Sequence, residues 1–248
     1  QLITFAYMNT KYKIIAAGFL TQFFTIGFFT YSASLFFPFI ISELNTDITK
    51  IMLGPTFGTI LGLFAMPIAG ILLDRYSIRL IMVVGSSIFA VGLWSLANIT
   101  TAIQFGLVFG LTMSLANCLV GSMSASTIIS RWFTRNRGRA LGLSAAGTSI
   151  GGIFLPAAFG FLINLFGWRT TLELFSLSLL VILLPAVLFT VPNRSADLEE
   201  ETSEDPGDQK NIPIRKSIEM TTRDFIITPN FWYLGMSLGI LFSGYSAV

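Results

Sequence analysis

The sequence predicts an all-α membrane protein, and two observations carry that prediction. Hydrophobic residues make up 53% of the 248-residue chain and charged residues only 11%, whereas a soluble domain carries about 25% charged residues. The charges also gather in short islands between long uncharged segments, whereas a soluble fold would spread them over its surface. Lipid is therefore the expected solvent for most of this chain.

Six uncharged segments are long enough to cross a bilayer, which takes roughly 20 apolar residues. They lie at about 14–41, 52–73, 80–98, 102–130, 140–166 and 174–191. A seventh apolar segment begins near Phe231 and runs to Val248. Because the chain starts with Gln1 and stops inside an apolar segment, we expect truncation at both ends.

The spacing of these segments predicts three regions. Residues 1–191 hold the six complete spans and are expected to form one transmembrane bundle. Residues 192–230 contain a dense acidic run beside Pro206 and Gly207, a composition typical of a solvated linker. Residues 231–248 are expected to start a second, truncated transmembrane bundle.

The distribution of basic residues predicts the orientation, because Lys and Arg are retained on the cytoplasmic side of a membrane. All 15 Lys and Arg residues fall on one side of the predicted topology except Lys50 and Arg169. The more basic side also holds the N-terminus and the linker. We therefore expect an integral protein of the plasma (inner) membrane with a cytoplasmic N-terminus.

Composition also argues against several classes of function. Histidine is absent and Cys118 is the single cysteine, so we expect neither a metal site nor a cofactor. No charged residue lies deep in a predicted span, and no Ser/His or paired-carboxylate arrangement occurs there, which argues against an enzyme. A net charge of +2 is too small to indicate a nucleic-acid partner.

Small residues recur at helical spacing along the second and fifth spans. Such residues allow another helix to approach closely. Two interpretations stay open: the stripes pack against neighbours within this bundle, or they face the sliding surface of a second bundle. The glycines expected to serve helix packing are Gly54, Gly58, Gly62, Gly142 and Gly152.

Polar side chains also align along single faces of the spans, and such faces avoid lipid. They either line a central cavity that holds a solute or form hydrogen bonds between buried helices. The candidates for the cavity are Gln22, Thr25, Tyr31, Asn117 and Ser149.

The loop between the second and third spans carries Gly70, Asp74, Arg75 and Arg79. This pattern resembles the signature loop of the major facilitator superfamily, which usually has glycine where this chain has Ser77, so we expect a looser or differently shaped turn. The resemblance implies an inner gate, in which Asp74 caps a neighbouring helix or pairs with a nearby arginine.

The loop after the fourth span carries four basic residues, Arg131, Arg135, Arg137 and Arg139, and continues into a fifth span rich in glycine. This pattern resembles the loop and fifth helix of the monocarboxylate and oxalate/formate carrier branch. The turn at 167–169 is similar to one that many facilitator proteins place on the outer face.

These resemblances imply a bundle of two inverted three-helix repeats, followed by the start of a seventh span. They imply secondary transport of a small organic solute, such as a monocarboxylate or another organic anion, by alternating access. The expected partners are the lipid bilayer, the solute and the missing C-terminal half of the protein. The alternative is a membrane sensor or assembly protein that has kept a carrier-like bundle without transporting.

Overall fold

The computed structural model describes residues 2–133, 136–191, 233 and 236–237, with side chains from residue 11 onward. The chain divides into two compact units, Gln1–Leu198 and Glu199–Val248. The described part of the second unit is helical. The predicted linker and most of the predicted seventh span lie outside the described residues, so the boundaries proposed for them stay predictions.

The described residues of the first unit form helices joined by short turns, which confirms the all-α prediction. The helices are α1 (Leu2–Ile26), α2 (Phe37–Leu44), α3 (Ile48–Arg75), α4 (Ile78–Ala97), α5 (Ala102–Val120), α6 (Ser122–Trp132), α7 (Arg137–Ser178) and α8 (Leu184–Thr190). A π-helical turn (Gly27–Ser32) and a 3₁₀ turn (Ala33–Phe36) join α1 to α2, and a second π-helical turn (Leu179–Leu183) joins α7 to α8.

In the described part of the chain, five helical stretches are long and apolar enough to cross a membrane. They are Lys11–Leu44, Ile48–Arg75, Ile78–Ala97, Ala102–Trp132 and Arg137–Thr190. The last is 54 residues long, more than twice the roughly 20 residues that one crossing needs.

Gly167 interrupts this last stretch with a φ of 82° and a ψ of 165°. That conformation is open to glycine because it has no Cβ. The predicted fifth and sixth spans therefore lie in one stretch, on either side of the break at Gly167.

The first span is not a continuous α-helix, because its centre widens into the π-helical turn. The Ser32 hydroxyl donates a hydrogen bond of 2.9 Å to the Gly27 carbonyl, five residues earlier. This bond satisfies a backbone acceptor that the wider turn leaves available inside the apolar core.

A cluster of phenylalanines fills the core where the π-helical turn meets α4 and α7. Phe28 is 1% exposed, and its ring centroid lies between 5.3 and 6.0 Å from five other rings. Several of these pairs are edge-to-face or tilted, the arrangements that aromatic quadrupoles favour. The rings around Phe28 belong to Phe29, Phe36, Phe89, Phe159 and Phe175.

The backbones of α1 and α7 touch where glycines remove the side chains between them. A Cβ atom added to Gly147 would lie 2.2 Å from the Phe19 carbonyl oxygen, and one added to Gly151 would lie 2.5 Å from that of Phe23. Any side chain at these two positions would separate the helices.

The stripe in the second span serves the same purpose between α3 and α5. A Cβ atom on Gly58 would lie 3.0 Å from the Gly110 carbonyl oxygen, and one on Gly54 would lie 3.3 Å from the Gly106 Cα. Gly54 and Gly58 are buried. They pack within this bundle, so the interpretation that they face a second bundle is wrong for these two glycines.

The stripe in the fifth span is different. A Cβ atom added to Gly142 would meet nothing within 4 Å among the described atoms, whereas one on Gly152 would lie 3.0 Å from the Tyr31 ring. Gly62 has more room than its neighbours in α3, with the Ser114 hydroxyl 3.8 Å from an added Cβ. Gly142 therefore lies on an open surface of the described bundle and is not a packing position within it.

The contact between α1 and α7 predicts a sharp difference between two identical substitutions in α7. We expect Gly147→Ala to lower the free energy of unfolding by about 1–3 kcal/mol, because the new methyl group overlaps the Phe19 carbonyl. Gly142→Ala is the matched control and should leave stability unchanged or raise it, since alanine favours a helix. Thermal unfolding of the detergent-solubilised protein measures both, and equal effects would contradict the close contact.

Candidate functional site

The predicted gate motif lies at the end of α3, where Asp74 occupies the last helical turn. The Arg131 guanidinium, in the last turn of α6, donates to Asp74 Oδ1 at 3.2 Å and to the Leu73 carbonyl at 2.8 Å. One arginine thus pairs with a carboxylate and caps the C-terminus of the same helix. The carbonyls at such an end lack partners within the helix and carry the negative end of its dipole.

This ion pair is open to water. The Asp74 side chain is 80% exposed and that of Arg131 is 36% exposed. Ion pairs with such exposure contribute about 0–1 kcal/mol. The contact between α3 and α6 at this end is therefore easy to break.

The other members of the motif lie near this pair but do not share it. Arg75 is exposed, and Arg79 is partly buried with an Nε atom that has no hydrogen-bond partner among the described residues. A Cβ atom on Gly70 would lie 3.3 Å from the Met123 methyl carbon in α6. The structure thus pairs Asp74 with an arginine 57 positions away in the sequence.

Ser77 occupies the turn where the family usually has glycine. Its φ of −66° and ψ of 131° are open to any residue, and its hydroxyl accepts a 3.2 Å hydrogen bond from the Leu80 N–H. Ser77 is therefore the N-cap of α4, a role that serine fills well. This cap explains how the turn forms without glycine.

The remaining basic residues of the cytoplasmic loop do not join this site. Arg137 and Arg139 are exposed and make no ion pair with a described residue. Arg135 lies outside the described residues. Of this predicted group, Arg131 is the one that contacts Asp74 among the described residues.

A second polar centre lies at the opposite end of the bundle, around Arg169. Its guanidinium donates to Glu43 Oε1 at 2.9 Å, to the Ile99 carbonyl at 2.8 Å and to the Ala97 carbonyl. The Trp168 indole N–H donates to Glu43 Oε2 at 2.7 Å, and the Arg169 guanidinium lies 4.4 Å from the Trp168 ring centroid. These contacts tie together the ends of α2 and α4 and the second part of α7.

Sequence reasoning did not single out Glu43. The available signal was a carboxylate directly after the first apolar segment, on the side of the membrane that holds only two basic residues, Lys50 and Arg169. Glu43 is therefore a candidate ion-pair partner for Lys50 or Arg169, but the sequence alone does not show which of the two it contacts.

Two of the cavity candidates lie inside the bundle. The Gln22 amide donates a 2.7 Å hydrogen bond to the Ser144 hydroxyl and accepts one of 3.3 Å from Thr148, so it joins α1 to α7. Thr25 is fully buried, and its hydroxyl has no partner among the described residues. Gln22 therefore forms hydrogen bonds between helices, which is one of the two interpretations of the polar faces.

The other three candidates reach the surface to different degrees. Tyr31 is 40% exposed and packs its ring on Gly152. Ser149 is exposed on α7, three residues before Gly152 and on the same face. Asn117 is partly exposed on α5, and its backbone carbonyl accepts a hydrogen bond of 3.2 Å from the Gly121 N–H. The structure therefore brings Tyr31 and Ser149 to one face.

The described residues contain no group of three or more His, Cys, Asp or Glu side chains that could hold a metal ion.

Comparison with known proteins gives a consistent family assignment. Residues 19–248 match the family described as the Major Facilitator Superfamily. The riboflavin transporter RibJ of Trypanosoma cruzi (strain CL Brener) is 30% identical over 146 residues, which cover 58% of this chain and 29% of that protein.

Two further relatives are also named as transporters. The MFS-type transporter pynF of Aspergillus niger is 26% identical over 193 residues, which cover 75% of this chain and 44% of the relative. Monocarboxylate transporter 11 of Mus musculus is 32% identical over 110 residues, covering 44% and 24%. The chain thus matches less than half of the length of each of these three proteins.

The contacts of Arg169 predict that a lysine at this position will not maintain the stability of the protein. We expect Arg169→Lys to lower the free energy of unfolding by about 1–3 kcal/mol, because an ammonium group cannot reach Glu43 and both carbonyls together. Trp168→Phe, which loses one hydrogen bond, should cost less. Thermal unfolding in detergent measures both, and full stability of Arg169→Lys would show that the carbonyl contacts contribute little.

Proposed function

Because this chain belongs to the major facilitator superfamily, we propose that it carries a small organic solute across the membrane by alternating access. It is an integral membrane transporter and not an enzyme. In secondary active transport of this kind, two helix bundles rock around a binding site near the membrane midplane. We propose that the second bundle begins with the segment predicted at 231–248, after a linker at 192–230.

The observation that carries the mechanism is the exposed contact between Asp74 and Arg131. A gate needs contacts that hold one state yet break at low cost, and an ion pair of 3.2 Å with an 80% exposed carboxylate meets that need. The contacts of Arg169 at the other end are more numerous and hold the bundle together. We assign the inner gate to Asp74 and Arg131, with Gly70, Arg75 and Arg79 beside them.

For the solute, we propose a monocarboxylate or another organic anion. The similarity to monocarboxylate transporter 11 and the basic loop around Arg131 support this choice. The similarity to a riboflavin transporter makes riboflavin the first competing solute. Tyr31 and Ser149 are the polar side chains that we place at the cavity wall, together with Asn117.

The cation that binds an anionic solute would lie outside the described spans. Lys and Arg lie at the ends of these spans or, in the case of Arg169, beside the break at Gly167. We therefore propose that the cation that binds a carboxylate solute belongs to the second bundle.

We further propose that the protein lies in the plasma (inner) membrane with its N-terminus in the cytoplasm. The support is the concentration of basic residues at the end of the bundle that holds Arg131. This orientation places the Asp74 gate inside the cell and the Arg169 centre outside.

Uptake into proteoliposomes tests the gate. We expect the full-length protein to take up one member of a panel of labelled monocarboxylates, dicarboxylates and riboflavin with saturation. Asp74→Asn should lower the maximal rate by up to about fivefold, because the inner state loses an ion pair that contributes at most about 1 kcal/mol. Arg131→Gln should act in the same direction.

Asp47→Asn is the matched control, since Asp47 lies exposed at the other end of α3 and its side chain makes no capping hydrogen bond. It should transport at the normal rate. Equal transport by Asp74→Asn and Asp47→Asn would contradict the gate, and a folded protein that takes up no solute in the panel would favour the sensor alternative.

Labelling of single cysteines tests the orientation. In a Cys118→Ala background, we expect Ile48→Cys to react with a membrane-impermeant maleimide on intact cells. Tyr12→Cys should react only after permeabilisation. Both side chains are exposed, at 51% and 66%, so the described residues do not cover either position. The reverse pattern would place the N-terminus outside.

A further inference from the structure

A groove lies between the first turns of α3 and of α5, at the end of the bundle that carries Lys50. Its volume is 680 Å³, within the range of about 300–1,000 Å³ that is usual for sites that bind small molecules. Its walls are Leu53 and Phe57 from α3 and Ile103 and Leu107 from α5. All four side chains are exposed, Ile103 to 76%.

The floor of the groove is bare backbone. A Cβ atom on Gly106 would lie 3.8 Å from the Gly54 nitrogen, so the two helices touch there without intervening side chains. The floor of the groove therefore lies at the same close contact that packs α3 on α5.

The rim of the groove is polar, and two of its groups lack partners. The Thr46 hydroxyl is shielded from solvent and makes no hydrogen bond with a described residue. The Lys50 ammonium makes no ion pair there either. The hydroxyls of Thr100 and Thr101 are already bonded to Gln104. The exposed Lys50 ammonium is therefore the charged group of the rim that an anionic partner can reach.

The polar and apolar parts follow one another along α3. From Lys50 to Phe57 the helix rises about 10 Å at 1.5 Å per residue. The cation thus lies at the helix end, where the polar headgroups of a bilayer lie, and the apolar walls run from there into the hydrocarbon. A phospholipid has the same order of chemical groups along its length.

We propose that this groove binds one anionic phospholipid. Its phosphate lies against Lys50, and one acyl chain runs over Gly106 between α3 and α5. This site is separate from the transport pathway proposed above and does not depend on it. A protein helix laid over the groove would instead bury the Lys50 ammonium without a described partner, which costs free energy in a membrane.

Photolabelling of the full-length protein tests the site. The protein is reconstituted in phosphatidylcholine vesicles doped with phosphatidylglycerol that carries a diazirine in its acyl chain, and labelled residues are mapped by mass spectrometry. We expect labelling at Leu53, Ile103 and Leu107. Lys50→Gln should lower it about fivefold, since one lysine at a membrane surface favours an anionic lipid to that extent.

Lys13→Gln is the matched control, because it removes one exposed lysine from the opposite end of the bundle and should leave the groove labelling unchanged. Ala102→Trp fills the groove while retaining Lys50 and should lower the labelling as well. Labelling at Phe189, which is 81% exposed on α8, should be equal in all variants and shows that each one is inserted and folded.

Three results would overturn the proposal. Equal groove labelling by a phosphatidylcholine probe would show ordinary boundary lipid. An unchanged signal in Lys50→Gln would show that the headgroup charge is not recognised. Labelling at Phe189 with none in the groove would show that protein, such as a second bundle, covers it.

Discussion

Lipid chains are as apolar as leucine, so the hydrophobic effect does not draw membrane helices together, and the bundle depends on how closely its backbones approach. In this protein the approach is made by glycines placed opposite carbonyl groups. Gly147 and Gly151 bring α7 onto α1, and Gly54 and Gly58 bring α3 onto α5. The groove over Gly106 lies at the second of these contacts.

The same constraint places the polar chemistry at the ends of the helices. Backbone carbonyls at a helix C-terminus need donors, and in a membrane water reaches them only near the surface. Arg131 supplies donors to the end of α3 and Arg169 to the end of α4, and each arginine also pairs with a carboxylate, Asp74 or Glu43. Both ends of the bundle therefore use one device, an arginine that is both helix cap and ion-pair partner. They differ in strength, since Arg169 is also held by the Trp168 ring.

The sequence was sufficient for the class of protein, because the length and spacing of apolar segments are dictated by the bilayer. It did not predict which neighbour each helix face meets. The spacing of Gly54 and Gly58 defines a face, but the choice between α5 and a second bundle depends on tertiary packing. In the same way, the motif left open whether Asp74 caps a neighbouring helix or pairs with an arginine, and only the fold brings Arg131 to it.

The placement of Gln22 shows how a polar residue inside a membrane bundle can join two helices. Its amide holds Ser144 and Thr148, so α1 and α7 are joined by hydrogen bonds at the level where their backbones touch. Tyr31 and Ser149 project from this joined pair on its exposed side. A solute that contacts them meets a surface whose two helices cannot shift separately, because a shift would break the Gln22 bonds and open the glycine contact together. Exposed polar residues and polar residues that join the helices therefore occur along the same two helices, which is why a polar pattern in the sequence does not by itself distinguish the two roles.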